Sequence, residues 1–222
     1  MALVTAHNWM SNRRIPAPLY VPANVAVAGA LIGLGRWGGA GWEDLGLGRQ
    51  QLRSGLAAAA TVGAVASTVV TRAAASPRAG RWFADDRALL LSPRAATYEA
   101  LIRIPLGTAL AEELTFRGAL LGLSLRHRPW PASVAWTSAA FGLWHILPTI
   151  DTLPKHTMGR DALERGRSNH AVGFAVASTT AAGAGLALLR WATGSVVTPV
   201  AVHAVVNATA LLQARRRLAG RP

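Results

Sequence analysis

Three short motifs in otherwise apolar stretches contain side chains that could carry out hydrolysis. Their residues are Glu112, Glu113 and Arg117 in the first, Phe141 and His145 in the second, and His203 and Asn207 in the third. A carboxylate and an imidazole can together remove a proton from water. Imidazole and amide N–H groups can hydrogen-bond the negative oxygen that develops when water attacks a carbonyl group. These residue types predict general-base hydrolysis if the fold brings them together.

The spacing of the two glutamates and the arginine suggests a division of labour. On a helix, Glu113 and Arg117 lie one turn apart and can form an ion pair, whereas Glu112 points about 100° away. We therefore expect Arg117 to neutralise Glu113 and to leave Glu112 as the candidate base. The alternative is a helix end at the membrane interface, where water solvates both carboxylates.

The two histidines inside apolar spans, His145 and His203, indicate a site only together with the other polar residues. A single histidine in an apolar helix is commonly a satisfied core residue, so His145 alone indicates little. His203 and Asn207 share one helix face and could equally bridge two helices. Four other histidines fall in predicted loops or at the ends of apolar spans: His7, His127, His156 and His170. Because polar groups inside a membrane need partners, we expect two carboxylates, two imidazoles and one amide to converge on one cavity.

The elements that must position these residues are apolar and long. Of the 222 residues, 51% are hydrophobic and 15% are charged, against about 25% charged residues in soluble domains. About six stretches could cross a bilayer, and they cover residues 21–39, 54–75, 96–125, 130–150, 171–191 and 195–212. The expected fold class is all-α: an integral membrane helical bundle with about six transmembrane helices and a polar catalytic cavity. We expect one membrane domain over residues 1–222, with a protease-like core at about 96–212.

The charge distribution and the cysteine content indicate the cellular environment of the chain. The formal net charge of +13 is almost entirely due to arginine, and the arginines cluster between apolar spans, as in cytoplasmic loops. This pattern predicts both termini in the cytoplasm, with Arg126 and Arg128 as exceptions on the other side. We expect contacts with anionic lipid head groups and no nucleic-acid partner. The absence of cysteine excludes disulfides, thiolate metal sites and cysteine nucleophiles.

The ordered motifs Glu-Glu-x-x-x-Arg, Phe-x-x-x-His and His-x-x-x-Asn resemble those of the CPBP intramembrane proteases. This group contains the type II CAAX prenyl proteases and the bacteriocin-processing (Abi) proteins. The resemblance covers residues 98–212, about half of the chain. It implies a membrane-embedded peptidase with Glu112 and His145 activating water and His203 and Asn207 stabilising the oxyanion. Three further residues would support the site: Glu113, Arg117 and Phe141.

The residues leave the use of a metal open. His145, His203 and Glu112 could bind Zn²⁺ as a His₂Glu site with one open position. Alternatively, Glu112 and His145 could hold the water without a metal, and this is the form that we predict. The sequence has no His-Glu-x-x-His helix, the common zinc-protease motif.

The expected partner is a membrane-associated peptide or protein substrate, and the composition rich in alanine and arginine favours a bacterial plasma membrane. Two alternatives belong to other functional classes. One is a non-catalytic membrane scaffold or bacteriocin-immunity protein of the same fold. The other is an ion-coupled transporter, because intramembrane acidic and basic residues also mark ion pathways. We find neither the inverted repeat nor the broken helices that a transporter would need.

Overall fold

The computed structural model describes residues 1–83, 85, 87–155 and 157–219, and it is all-helical within those ranges. His156 lies outside the described residues. The main helices are α1 (Ala2–Arg13), α2 (Tyr20–Trp37), α3 (Arg49–Ala75), α4 (residues 93–125), α5 (Trp130–Trp144), α6 (Ile146–Thr152), α7 (Thr157–Glu164), α8 (Ser168–Thr193) and α9 (Val197–Ala219). Most of α4 has widened, π-helical turns, at Glu99–Leu110 and again at Leu114–Leu120.

Among the described residues, four helices are long and apolar enough to cross a membrane: Ala17–Trp37, Arg49–Ala75, Ser168–Thr193 and Val197–Arg216. The chain is therefore a multi-pass membrane protein. The first, second, fifth and sixth predicted spans coincide with these helices. The third predicted span is α4, a continuous helix that carries the motif charges. The count of six spans stays a prediction.

The fourth predicted span, residues 130–150, is wrong as a single helix, and the expectation that no span is broken is wrong with it. Helix α5 has 15 residues, so it is about 22 Å long and shorter than the hydrocarbon layer of about 30 Å. It ends at Trp144, and α6 begins at Ile146. Proline lacks the backbone N–H that an α-helix needs at each interior position. Pro148 therefore leaves the carbonyl of Trp144 without an intrahelical donor, and the apolar composition of this stretch concealed the break.

Two further segments predicted as non-helical are helices. Residues 2–13 form α1, so His7 lies inside a helix rather than in a loop, and α7 occupies part of the predicted loop at 151–169. Helix α1 is short and only moderately apolar, which made it inconspicuous. Its buried residues are Val4 and Asn8, and Val4 packs in a core cluster with Phe116 and Phe141.

The helices pair in a regular way. Helices α3 and α9 run parallel, with Ser67 hydrogen-bonded to Thr209 and Gln213 donating to Thr71. Helices α5 and α8 run antiparallel, and Trp130 at the start of α5 stacks on Trp191 near the end of α8, with a ring distance of 4.7 Å. Since α9 packs against α4 and α8 against α5, the three motif segments face one another.

The bundle has two chemically different ends. At the tryptophan end lie the exposed rings of Trp37, Trp130 and Trp191, as expected for interfacial anchors. At the opposite end, here called the arginine end, Arg13 forms a bidentate ion pair with Asp151, and Arg215 donates to two backbone carbonyls of the segment before α4. This grouping agrees with the predicted arrangement of the arginine-rich loops on one side.

Candidate active site

A buried ion pair on α4 is the first element of the site. The guanidinium Nη1 of Arg117 donates to Oε1 of Glu113 at 2.9 Å, one helical turn away. Both side chains are almost completely excluded from solvent, with exposures of 2% and 0%. The ion pair predicted from the spacing is therefore present.

The same carboxylate oxygen also contacts α9. Nδ1 of His203 lies 2.8 Å from Oε1 of Glu113. Because Glu113 is paired with Arg117 and accepts hydrogen bonds as a carboxylate, Nδ1 is the donor. His203 is therefore held by one ring nitrogen and leaves Nε2 for other contacts. Sequence spacing did not indicate this bond, since it joins two helices that are far apart in the chain.

Arg117 links two more helices to this pair. Its Nη2 donates to the carbonyl of Gly183 in α8 at 3.0 Å, and its guanidinium carbon lies 4.1 Å from the centre of the Phe141 ring in α5. A Cβ atom at Gly183 would lie 3.1 Å from Nη2 and 3.0 Å from the Phe141 ring. Glycine at this position lets the guanidinium lie against the backbone of α8.

The end of α5 fixes the second imidazole. The backbone N–H of His145 bonds to Gly142, not to Phe141 four residues earlier, so the carbonyl of Phe141 is left for a side chain. Nδ1 of His145 lies 2.8 Å from that carbonyl oxygen. A carbonyl only accepts hydrogen bonds, so Nδ1 carries the proton and the neutral ring offers the lone pair of Nε2.

Both imidazoles line one cavity of about 660 Å³ between α5, α8 and α9. Phe141 and Asn207 also line it, and most of the other lining residues are aliphatic or small. Four of the seven predicted site residues thus meet at this cavity. Helix α4 places Glu113 five residues from Thr108, which contacts Tyr20 near the arginine end.

Glu112, Glu113 and Arg117 are not among the residues that line this cavity, so the predicted convergence of both carboxylates on it is not observed. Glu112 interacts electrostatically with His203 and with Tyr20, and it is partly buried. Among the described residues, Oε2 of Glu112 and Oε2 of Glu113 are buried and have no hydrogen-bond partner. Each of these carboxylate oxygens can still accept a hydrogen bond.

The zinc site considered from the sequence is not assembled among the described residues. In the part of the chain that the structure describes, no group of three His, Asp or Glu side chains could hold a metal ion. Among the described residues, His145, His203 and Glu112 are therefore not assembled as a His₂Glu site. Nδ1 of each imidazole is bonded to an oxygen, one of Glu113 and one of Phe141, an arrangement also typical of histidines that bind a metal through Nε2, so the metal-free form stays a prediction.

A family model described as Type II CAAX prenyl endopeptidase Rce1-like matches residues 95–209, just over half of the chain. The chain belongs to this family. The match confirms the resemblance inferred from the motifs and makes the protein a CAAX-type protease by family. It includes all seven motif residues and begins after α3. No curated protein and no solved structure matches the chain significantly.

We predict strong coupling between Glu113 and Arg117 in this CAAX-type protease. Arg117→Met should lower the free energy of unfolding by about 3–5 kcal/mol, because it leaves a buried carboxylate without its cation. The double variant Glu113→Gln/Arg117→Met should be more stable than Arg117→Met alone. Unfolding in detergent micelles measures both values.

The matched control for this cycle is Arg103→Met, on the same helix. Arg103 pairs with Glu99 at the same one-turn spacing, but both side chains are partly exposed, so the loss should be at most about 1 kcal/mol. If the double variant is as unstable as Arg117→Met, the pair is not coupled and this account of the site is wrong.

Proposed function

We propose that the protein is an intramembrane endopeptidase that hydrolyses a peptide bond of a membrane-associated peptide or protein. Glu112 and His145 activate the water, and His203 and Asn207 bind the oxyanion. Glu113, Arg117 and Phe141 hold these groups in place. The observation that carries the proposal is that two imidazoles, each anchored through Nδ1, share one apolar cavity with Asn207.

Each step uses a side chain in a role that its chemistry allows. The water oxygen bonds to the carbonyl carbon while its proton passes to Nε2 of His145 or to Glu112. The developing oxyanion accepts hydrogen bonds from the amide of Asn207 and from Nε2 of His203, which donates when the ring is protonated. The C–N bond then breaks, and the same proton is returned to the departing amine.

The unpartnered Oε2 of Glu112 supports its role as base, because a carboxylate oxygen with a free acceptor position can hold a water molecule. Its partly buried position and its electrostatic interaction with His203 also support this role. Glu113 is less suited to this role, since its Oε1 accepts from both Arg117 and His203. The two neighbouring glutamates are thus assigned to catalysis and to support, respectively.

We predict that Glu112→Gln lowers the cleavage rate by about 10²–10⁴-fold, the contribution of a general base, while the unfolding midpoint is kept. Comparison of protein N- and C-termini in cells that carry the intact protein or the variant identifies the substrates and measures the loss. Glu99→Gln on the same helix is the matched control and should retain cleavage.

Full turnover by Glu112→Gln would remove this residue from the mechanism. A phenotype that survives Glu112→Gln combined with His145→Ala would indicate a non-catalytic scaffold instead.

We predict that metal chelation leaves the activity largely intact, because the proposed steps use only side chains of the chain. The measurement is cleavage of an identified substrate after treatment with phenanthroline, with and without added Zn²⁺, together with the metal content of the purified protein. Loss of cleavage that zinc restores, with one zinc per chain, would establish a metalloprotease and replace the glutamate mechanism.

We also propose that the arginine end faces the cytoplasm of a bacterial plasma membrane. Because the chain has no cysteine, single substitutions report sidedness without a background. We predict that a membrane-impermeant thiol reagent labels Gln50→Cys in intact cells, and labels Arg78→Cys only after the membrane is opened. Both positions are exposed: Gln50 lies in the first turn of α3, and Arg78 follows the other end of that helix. The reverse pattern would invert the topology.

A further inference from the structure

Helix α1 contacts the chain at the break that carries His145. Because Pro148 has no N–H, the carbonyl of Trp144 lacks the donor that a continuous helix would supply. Nδ2 of Asn8 donates to this carbonyl at 2.8 Å. Asn8 is buried, with 7% of its surface exposed, although α1 lies 136 residues away in the chain.

The amide of Asn8 is oriented by its neighbour. Nδ2 of Asn12 donates at 2.8 Å to both the backbone oxygen and Oδ1 of Asn8. Oδ1 is thus used as an acceptor, and the NH₂ group is directed to Trp144. This arrangement fixes the donor toward the carbonyl and not away from it.

Helix α1 is also held on both sides of the break. Before the break, Val4 packs against Phe116 and Phe141, the residue whose carbonyl fixes the His145 ring. After the break, Arg13 makes two hydrogen bonds of 2.7 and 2.8 Å to Asp151, at the end of α6. Helix α1 therefore spans the junction of α5 and α6 from one side to the other.

We propose that Asn8 is a positioning residue for His145. Helix α1 then belongs to the active site, and this inference rests on the proposed function. Trp144 precedes His145, whose backbone has φ −81° and ψ −3°, in the sparsely populated bridge region. No intrahelical bond from Pro148 holds that conformation. The hydrogen bond from Asn8 replaces it, and so sets the direction in which His145 presents Nε2 to the cavity.

The test follows the ring nitrogens of His145 by nitrogen-15 NMR of the full chain in detergent micelles, assigned with His145→Gln. Asn8→Ala removes the donor, and Asn8→Asp keeps the shape but turns an acceptor toward the carbonyl. Both should shift the His145 signals. Asn12→Ala, at an exposed position, should give a smaller shift, because it only frees the Asn8 amide. On an identified substrate, the two Asn8 variants should lower kcat by about 10–100-fold, with KM unchanged.

Ser11→Ala is the matched control, because Ser11 joins α1 to Asn24 of α2 and not to the break. It should leave the His145 signals and kcat unchanged. Unshifted His145 signals in folded Asn8→Asp, or equal shifts in Ser11→Ala, would overturn the proposal. If the Asn8 variants do not fold, an unshifted spectrum of Asn12→Ala overturns it. Because the spectrum needs no substrate, shifted signals in a chain without protease activity would refute the proposed function and leave the positioning role intact.

Discussion

A single carboxylate oxygen, Oε1 of Glu113, is the point on which the site depends. A buried carboxylate is costly unless it is paired and hydrogen-bonded, and Glu113 meets this requirement only through Arg117 on its own helix and His203 on another. Arg117 in turn reaches the backbone of Gly183 and the ring of Phe141. The need to neutralise one charge thus ties α4 to α5, α8 and α9.

Both imidazoles are anchored through Nδ1, but by different groups. His203 is anchored by a side chain, Glu113, and His145 by a backbone carbonyl that becomes free where α5 ends. In both cases Nδ1 is bonded and Nε2 is left for the cavity. The difference matters chemically, because a carboxylate can balance the positive charge of a protonated ring and a carbonyl does so less well. His203 is therefore suited to donate to an oxyanion, and His145 to accept a proton from water.

Local geometry explains which features the sequence could predict. The ion pair of Glu113 and Arg117 follows from helical periodicity alone, and the length of the apolar stretches predicts α2, α3, α8 and α9. The bond between Glu113 and His203 depends on how α4 and α9 pack, and spacing along the chain carries no such information. The break at His145 had a local signal in Pro148, but the unbroken apolar composition outweighed it. Helix α1 was missed because its contacts, not its composition, stabilise it.

The break in α5 and the presence of α1 are consequences of the same constraint. A helix that continued through residue 145 would satisfy the carbonyl of Phe141 internally and leave His145 without its backbone anchor. The carbonyl of Trp144 would lack a helical donor in either case, because Pro148 has no N–H. In the structure the Phe141 carbonyl accepts from the His145 ring, and the Trp144 carbonyl accepts from Asn8. In a membrane, where a backbone carbonyl without a donor costs several kcal/mol, the second bond is as necessary as the first. A site built on a helix end inside the bundle therefore requires a partner for that end, and α1, which precedes the residues that the family model matches, supplies it.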